Sequence, residues 1–369
     1  MKRYRSGIQG MISLTLLPVF FLVLFCGCGR NDLLPGMELS RRLLIEAIGL
    51  DADGNGVTLS LLTMNTKPAQ SGSETAQNAQ NSRFLQFTAH TVGQAATLAE
   101  QTTGQVPFFA HTRLLVIGRT AAERGVSAYL DFFLRNRTVR SMLPVCVAAE
   151  NAASILSYEC ASAGGTAQLL EKILSASHAC GKCVLTPLFL FVGRLLSEDT
   201  EAFCPLLERT GKQPEDPLSV NGTAIFRGER LQSVLTEEET TALLLLLNDL
   251  PETLITLDGQ TPPVACRIRE AKTRFQKAAD GAPAFDCAMH IKAEITEADG
   301  ARYPVDRQKK EQLAEALRQK LAETTASCFE KLYNGERADL CRLRRKLRAD
   351  AVFGDESIRL RPRISVTLD

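Results

Sequence analysis

Two pairs of closely spaced cysteines are the residues of this chain best suited to chemistry. Cys26 and Cys28 lie at the end of the first apolar run, and Cys180 and Cys183 lie near the middle of the chain. A thiol can carry a lipid, ligate a metal ion or exchange disulfides. The residues around each pair decide which of these reactions the sequence supports.

Cys28 has the surroundings of a lipid-attachment site. Three basic residues within the first five positions precede an apolar run, Met11–Phe25, and Gly27 stands directly before Cys28. This order is typical of a secretory signal, and the run is shorter than the roughly 20 residues of a membrane-spanning helix. The sequence therefore predicts a bacterial lipoprotein signal over residues 1–27, cleaved before Cys28, whose thiol and new amine receive diacylglycerol and an acyl chain such as palmitate. Plain secretion and an uncleaved anchor are the alternatives.

The second pair, Cys180-Gly-Lys-Cys183 with His178 before it, resembles half of a zinc site or a redox pair. A structural zinc site needs four ligands, and no second Cys-x-x-Cys or His pair follows at useful spacing. A redox pair of this type opens a helix after a strand, whereas this one closes a predicted helix before Pro187. We therefore interpret these cysteines as structural.

The remaining cysteines do not suggest a disulfide pattern. The chain has 11 cysteines, and nine of them lie beyond the Cys26–Cys28 pair, most of them singly in apolar contexts such as Pro144-Val-Cys146-Val. An unpaired cysteine packs as a small hydrophobic residue. The sequence favours buried, reduced thiols over a disulfide framework.

Other polar clusters have plainer explanations than catalysis or ligand binding. The segment Asp51–Gly56 matches the first half of a calcium-binding loop, but position twelve of that loop falls on Leu62 and the flanks read as strands, so a β-turn is favoured. Ser162–Gly165 lacks the Lys-Ser/Thr pair of a phosphate loop. None of the histidines stands in a nucleophile–base arrangement; they are His90, His111, His178 and His290.

Charge and composition argue against a nucleic-acid-binding protein. The composition is ordinary for a globular protein, with 45% hydrophobic and 23% charged residues. Removing residues 1–27 leaves 40 Lys and Arg against 42 Asp and Glu, a near-neutral chain that does not point to nucleic acid. Arg135, Arg137 and Arg140 cluster after a predicted helix; a solvated helix end is favoured, and a contact with a partner or a lipid headgroup is the alternative. We predict no catalytic residues, no metal and no cofactor, and a binding or assembly role.

The elements that position these residues alternate between strands and helices, which argues for mixed α/β domains with some parallel pairing. Predicted strands are Leu44–Leu50, Val57–Met64, Phe84–Ala89, Leu114–Ile117, Met142–Val147, Val220–Phe226, Leu231–Leu235, Val264–Ile268, Phe285–Ile295 and Ile358–Leu368. The first two form a hairpin around Asp51–Gly56. The segment from Ala152 to Arg209 has a helical but less regular pattern.

Three capping-box patterns predict helix starts. They are Thr91 with Gln94, Thr120 with Glu123, and Thr236 with Glu239. The second helix would carry an apolar face from Ala122 through Val126, Tyr129, Leu130 and Phe133 to Leu134. The longest predicted helix runs from about Val305 to Tyr333, with a core stripe of Leu313, Leu317, Leu321, Cys328 and Leu332.

The predicted fold class is α+β or mixed α/β, with two to three sheet-and-helix domains after the lipoprotein signal. Residues 68–83 read as an exposed loop, and Thr210–Pro217 is the best linker candidate. We place an N-terminal mixed α/β region at 28–210, with a further break near 150–190, and a C-terminal α+β domain at 218–369.

Three blocks in this order resemble the Ger(x)C family, the lipoprotein C subunits of bacterial spore germinant receptors. The first is Glu46-Ala-Ile-Gly-Leu-Asp51, which leads into the hairpin. The second is Phe108-Phe-Ala-His-Thr-Arg-Leu-Leu-Val-Ile-Gly118, continued through Tyr129–Leu134 to Arg140. The third is Asn221-Gly-Thr-Ala-Ile-Phe226. The long helix and the turn at Ala338-Asp339 stand where the family has a helix and an aspartate-containing turn.

The resemblance implies a non-enzymatic receptor subunit needed for nutrient-triggered spore germination. Such a subunit is tethered by lipid at Cys28 to the outer face of the spore inner membrane, and it assembles with integral membrane subunits of the A and B types. The alternative is a lipid-anchored extracellular solute-binding protein, which needs a deep cleft between two similar lobes. The two halves of this sequence do not look alike.

Overall fold

The computed structural model describes residues 39–64, 82–158, 165–211, 216–257, 263–280, 284–298, 306–343 and 358–368. Cys28 and residues 68–81 of the loop predicted at 68–83 lie outside them, and Arg83 at the end of that predicted loop belongs to a strand. Leu43–Asp369 forms one compact unit, and of the separate unit Met1–Arg42 the structure describes a short 3-10 turn at Leu39–Arg41.

Thirteen strands and eight α-helices lie in the described residues. The strands are β1 (Arg42–Asp53), β2 (Gly56–Thr63), β3 (Arg83–Ala89), β4 (Val106–Phe108), β5 (Leu114–Ile117), β6 (Val145–Ala148), β7 (Phe203–Arg209), β8 (Leu218–Arg227), β9 (Arg230–Leu235), β10 (Thr253–Leu257), β11 (Val264–Lys277), β12 (Ala284–Glu297) and β13 (Arg359–Leu368). The helices are α1 (Val92–Thr103), α2 (Arg119–Arg124), α3 (Ser127–Arg135), α4 (Ala152–Leu156), α5 (Gly165–Ala179), α6 (Leu188–Leu195), α7 (Glu237–Leu246) and α8 (Arg307–Glu330).

The first nine strands form one mixed sheet in the order β3-β2-β1-β5-β6-β7-β8-β9, with β4 beside β1. The central strands β1, β5, β6 and β7 pair in parallel, and the outer strands pair antiparallel. Each residue of β5 and β6 is buried, as expected for parallel strands covered on both faces. The predicted mixed α/β class and the β1–β2 hairpin are confirmed.

Helices cover both faces of this first sheet. On one face, α1, α2, α3 and α6 pack through a core that includes Ala95, Phe133 and Phe191. On the other face, α4 and α5 pack through Ile155 and Leu170. The predicted start of α1 is correct, because the Thr91 side chain accepts a hydrogen bond from the Gln94 backbone N–H, and Gly104 closes the helix with a positive φ.

The second predicted capping box is wrong, and the helix expected there is two helices. Helix α2 begins after Gly118, without a side-chain cap, and the Glu123 carboxylate pairs with Arg119 instead. Gly125 ends α2 with a φ of 128°, a conformation that favours glycine. Helix α3 then follows from Ser127, and its residue Leu134 is 51% exposed rather than on the core face.

The helical prediction for Ala152–Arg209 missed strand β7. Its residues Phe203–Leu207 are buried without alternation, and Pro205 argues against a strand in the middle of a sheet. The structure accommodates Pro205 through a shift in the pairing with β8 between Pro205 and Leu207. Local periodicity therefore carried no strand signal at this position. Strand β10 was also not predicted.

The predicted linker at 210–217 lies between two paired strands. Arg209 of β7 is opposite Leu218 of β8, and the Thr210 backbone N–H donates to the Pro217 carbonyl oxygen at 3.0 Å. The first sheet continues beyond this segment to Leu235. The domain limits 28–210 and 218–369, and the break near 150–190, stay predictions.

The second sheet has the order β10-β11-β12-β13, antiparallel except for the parallel pair β12–β13. The long predicted helix is confirmed as α8, which continues into a π-helical turn at Lys331–Gly335. Its predicted core stripe is buried. A single hydrophobic core joins α8, the inner face of the second sheet, α7 and three residues of the first sheet, Phe203, Ile225 and Leu235. Helix α7 starts with the predicted capping box of Thr236 and Glu239.

Candidate functional site

Asp51 lies at the carboxyl end of β1, where it holds the start of helix α4. Its two carboxylate oxygens accept hydrogen bonds from the backbone N–H groups of Ala152 at 2.7 Å and Ala153 at 2.9 Å. Burial raises the pKa of Asp51, and these two hydrogen bonds oppose that effect. Asp51 therefore serves α4 rather than a cation, and the prediction of a turn at Asp51–Gly56 is confirmed by Gly54, whose φ is 49°.

Gly118 completes this contact, which we name the Asp51 joint: Asp51, Gly118, Ala152 and Ala153. A Cβ atom on Gly118 would lie 1.9 Å from Asp51 Oδ1 and 3.2 Å from the Ala152 backbone nitrogen. The backbone of Gly118 has an ordinary extended conformation, with φ −65° and ψ 150°. Space, not backbone freedom, therefore requires a glycine at the end of β5.

The segment His111–Arg113 is fixed to β1 by a second set of contacts. The Thr112 hydroxyl donates to the Ile45 carbonyl oxygen at 3.2 Å, and the Arg113 backbone N–H donates to the Glu46 carbonyl oxygen at 2.7 Å. The Arg140 guanidinium donates to the Thr112 carbonyl oxygen at 2.7 Å. Of the three arginines predicted as a solvated helix end, Arg140 thus has a structural contact.

The other two arginines and the candidate phosphate loop show no shared site. Arg135 forms an exposed ion pair with Asp131 at 2.9 Å, and Arg137 is exposed. Ser162 lies outside the described residues, and Gly165 begins helix α5.

The Cys180–Cys183 turn connects the first sheet region to the second sheet. The Thr253 hydroxyl of β10 donates to the Cys180 carbonyl oxygen at 2.6 Å, and the Thr241 hydroxyl of α7 donates to the Gly181 carbonyl oxygen at 2.8 Å. Cys180 is exposed, whereas Cys183 is buried, and burial raises the pKa of the Cys183 thiol to about 12. A thiol that stays protonated is a poor nucleophile and a poor metal ligand.

Thiols and histidines elsewhere in the described residues show no sign of a metal or redox site. Six of the eight described cysteines are buried, as predicted, and burial also raises the pKa values of Cys146 and Cys204. His178 shares a hydrogen bond with the Cys183 carbonyl oxygen, and His290 shares one with Ser365. Across the described ranges, no three His, Cys, Asp or Glu side chains stand together as a metal site would require.

A groove of about 320 Å³ opens between α7, β10 and α8, beside the Cys180–Cys183 turn. Its floor includes Ala242, Leu245 and Leu321. On its rim, Lys182 pairs with Glu237 at 2.7 Å, the Lys320 amine donates to the Thr256 carbonyl oxygen at 2.7 Å, and Glu238 is exposed. The size is at the lower end for small-molecule pockets.

A buried polar network after α8 fixes the end of the long helix to the first sheet region. Asp339 accepts hydrogen bonds from the Tyr333 hydroxyl at 2.7 Å and the Leu343 backbone N–H at 2.8 Å. Its own backbone N–H donates to the Glu201 carboxylate, just before β7. The Tyr333 ring stacks on Phe329 at 4.2 Å. The sequence analysis singled out the turn at Ala338-Asp339 but did not predict these hydrogen bonds.

These contacts show a mixed α/β protein in which the motif residues hold strands and helices together. In the described part of the chain, no helix is both long and apolar enough to cross a membrane.

Comparison with known proteins identifies the family. Residues 36–209 match the family described as "Spore germination protein N-terminal domain", and residues 221–354 match "Spore germination B3/ GerAC like, C-terminal". The chain belongs to the Ger(x)C family of spore germination proteins.

Two relatives show how far the likeness extends. The chain is 24% identical over 176 residues to "Putative spore germination protein YfkR" of Bacillus subtilis (strain 168), a match that covers 46% of this chain and 44% of that protein. The chain therefore spans less than half the length of this relative. In a solved structure, "Crystal Structure of the GerBC protein", the fold is similar with a TM-score of 0.55 and 16% identity, over 89% of this chain and 99% of the other.

Proposed function

We propose that this protein is a non-enzymatic lipoprotein subunit of a spore germinant receptor, needed for nutrient-triggered germination. The observation that carries the proposal is the pair of family matches, which follow one another along residues 36–209 and 221–354. The similar fold of GerBC supports it over most of the chain. The motif residues support a structural role, because Asp51, Gly118 and Thr112 are all engaged in contacts within the protein.

The proposal places the lipid at Cys28, on the outer face of the spore inner membrane. The residues before Cys28 form the signal pattern described above. A thiol-linked diacylglycerol together with an N-terminal acyl chain gives the two hydrophobic signals that stable attachment needs. The partners are integral membrane receptor subunits of the A and B types, and the tether raises their local concentration around this protein.

Replacing Cys28 by Ala in the native gene tests the anchor and the role together. We expect the variant protein to leave the membrane fraction of spores and nutrient-triggered germination to be lost or strongly slowed. Cys26→Ala is the matched control, because it removes a thiol two residues away and keeps Cys28. The control spores should retain both the membrane-bound protein and germination.

The readouts separate the two parts of the proposal. Membrane fractionation with an antibody reports the anchor, and germination by nutrients and by a receptor-independent trigger reports the role. Full membrane retention of the Cys28→Ala protein would contradict lipidation at this residue. Normal nutrient germination in spores that lack the whole protein would contradict the receptor role.

A further inference from the structure

The two faces of the second sheet differ sharply in chemistry. Its inner face packs on α8 through apolar residues such as Met289 and Ile291. On the outer face, the side chains of β11, β12 and β13 alternate outward and are mostly exposed. The basic ones include Lys272, Arg274, Lys292, Arg359, Arg361 and Arg363. We name these six residues the basic face.

Strand pairing brings the basic face together from distant parts of the sequence. Ala288 of β12 lies opposite Arg274 of β11 on one side and opposite Arg363 of β13 on the other. Neighbouring strands lie about 4.8 Å apart, so the two arginines stand roughly 10 Å apart across a small side chain. That separation is close to the Debye length in physiological salt. The charges therefore act as one field.

Acidic groups neutralise only part of this field. Glu270 binds both Lys272 and Lys292. Asp286 lies 3.5 Å from Arg363, and Asp280 binds Arg361 at 2.7 Å. Six basic groups against three acidic ones leave an excess of three positive charges. Arg274 and Arg359 have no ion-pair partner in the described part of the chain.

Two further exposed arginines of β11, Arg267 and Arg269, lie beside β10. Towards β10, Arg269 is matched by Glu252 at 2.7 Å and Glu294 at 2.7 Å. From residue 28 onward the chain has 40 basic and 42 acidic residues. The positive charge is thus concentrated on one side of a near-neutral protein, an arrangement that orients a protein on a surface of opposite charge.

We propose that the basic face lies against an anionic phospholipid bilayer. The outward positions of β11, β12 and β13 in the described ranges include no Phe or Tyr, so the stacking platform of a protein that binds single-stranded nucleic acid is missing there. Exposed guanidinium groups on an open sheet match a layer of phosphate headgroups by charge and by hydrogen bonding. The choice of a membrane rests on the proposed lipid anchor, and the binding itself comes from the basic face.

Binding to vesicles tests this docking surface without the anchor. The chain from residue 28 to residue 369, carrying Cys28→Ala, is sedimented with vesicles of phosphatidylcholine alone and with vesicles that also contain phosphatidylglycerol. We expect binding only to the vesicles with phosphatidylglycerol, and we expect it to weaken as salt is raised, because salt screens exposed charges.

Two double substitutions identify the surface. Arg274→Gln with Arg363→Gln removes two charges from the basic face and should weaken binding roughly 30-fold, from about 1 kcal/mol per basic residue near an anionic membrane. Arg135→Gln with Arg307→Gln removes the same charge from exposed sites on α3 and α8 and should change binding much less. Arg274→Lys with Arg363→Lys keeps the charge and should retain most of the binding.

Several results would overturn the proposal. They are absence of binding to the anionic vesicles, equal binding to neutral vesicles, and equal loss in the two Gln pairs. Binding to an RNA fragment that depends on Arg274 and Arg363, with none to vesicles, would assign the surface to nucleic acid instead. Circular dichroism of each variant excludes unfolding as the cause. Because the assay contains no lipid at Cys28, its failure leaves the proposed receptor function standing, and loss of the anchor in spores leaves the vesicle result standing.

Discussion

The two sheets of this protein use their faces in different ways. The first sheet is covered by helices on both faces, and its parallel centre is fully buried. The second sheet has α8 on one face and exposed charged side chains on the other. Buried strands need precise fitting, whereas an exposed face tolerates substitution unless it binds something. The first sheet therefore forms a buried structural core, and the second sheet exposes a charged face to which a partner or a membrane can bind.

The motif residues of the family resemblance fit this division. Asp51 and Gly118 belong to two blocks of the sequence, and both take part in the joint at the carboxyl ends of the parallel strands. Ligands of open parallel sheets bind at this edge in many proteins. Here Asp51 uses both carboxylate oxygens to hold α4. The edge is therefore used for packing in this protein.

The largest expected effect is on the Asp51 joint itself. We expect Gly118→Ala to lower the free energy of unfolding by about 3 kcal/mol, because the new methyl group must displace the Asp51 carboxylate from α4. Urea unfolding of the chain from residue 28, with Cys28→Ala, measures the change.

Gly193→Ala is the control for this substitution. Gly193 lies inside helix α6, and nothing would lie within 4 Å of a Cβ atom there. Alanine is the better helix former, so this variant should gain about 0.5 to 1 kcal/mol. Equal stability of the Gly118→Ala variant and the parent chain would show that Asp51 can leave α4 without cost.

A smaller effect should follow from removing the carboxylate. Asp51→Ala leaves the N–H groups of Ala152 and Ala153 without their acceptor, and we expect a loss of about 1 to 2 kcal/mol at neutral pH. Asp53→Ala, an exposed position at the end of the same strand, should change stability by less than about 0.5 kcal/mol.

The pH dependence of the Asp51→Ala variant sharpens this prediction. Burial raises the pKa of Asp51 above 3.8 in the folded protein, so the folded state holds this proton more tightly than the unfolded chain does. The contribution of Asp51 to stability therefore falls as the pH rises from 3.8 through the folded-state pKa. Unfolding curves measured across that interval should show the free energy of unfolding of the parent chain falling relative to that of the Asp51→Ala variant. Parallel curves would contradict a raised pKa.

Local sequence patterns predicted the elements better than the contacts between them. The capping box of α7, the stripe of α8 and the β1–β2 hairpin depend on neighbouring residues, and each was predicted correctly. The Asp51 joint depends on which strands lie side by side, and periodicity does not encode that order. The basic face was missed for the same reason, because Arg274 and Arg363 become neighbours only through the parallel pairing of β12 with β13.

The smallest expected effect on stability belongs to the basic face. Arg274→Gln with Arg363→Gln should change the free energy of unfolding by less than about 0.5 kcal/mol, because exposed charges of this kind contribute little to folding. Urea unfolding without lipid measures this. A loss as large as that of Gly118→Ala would mean that these arginines hold the second sheet together, and the division between a structural sheet and a surface sheet would fail. A negligible loss combined with weakened vesicle binding would show that residues with little influence on the fold determine where the protein docks.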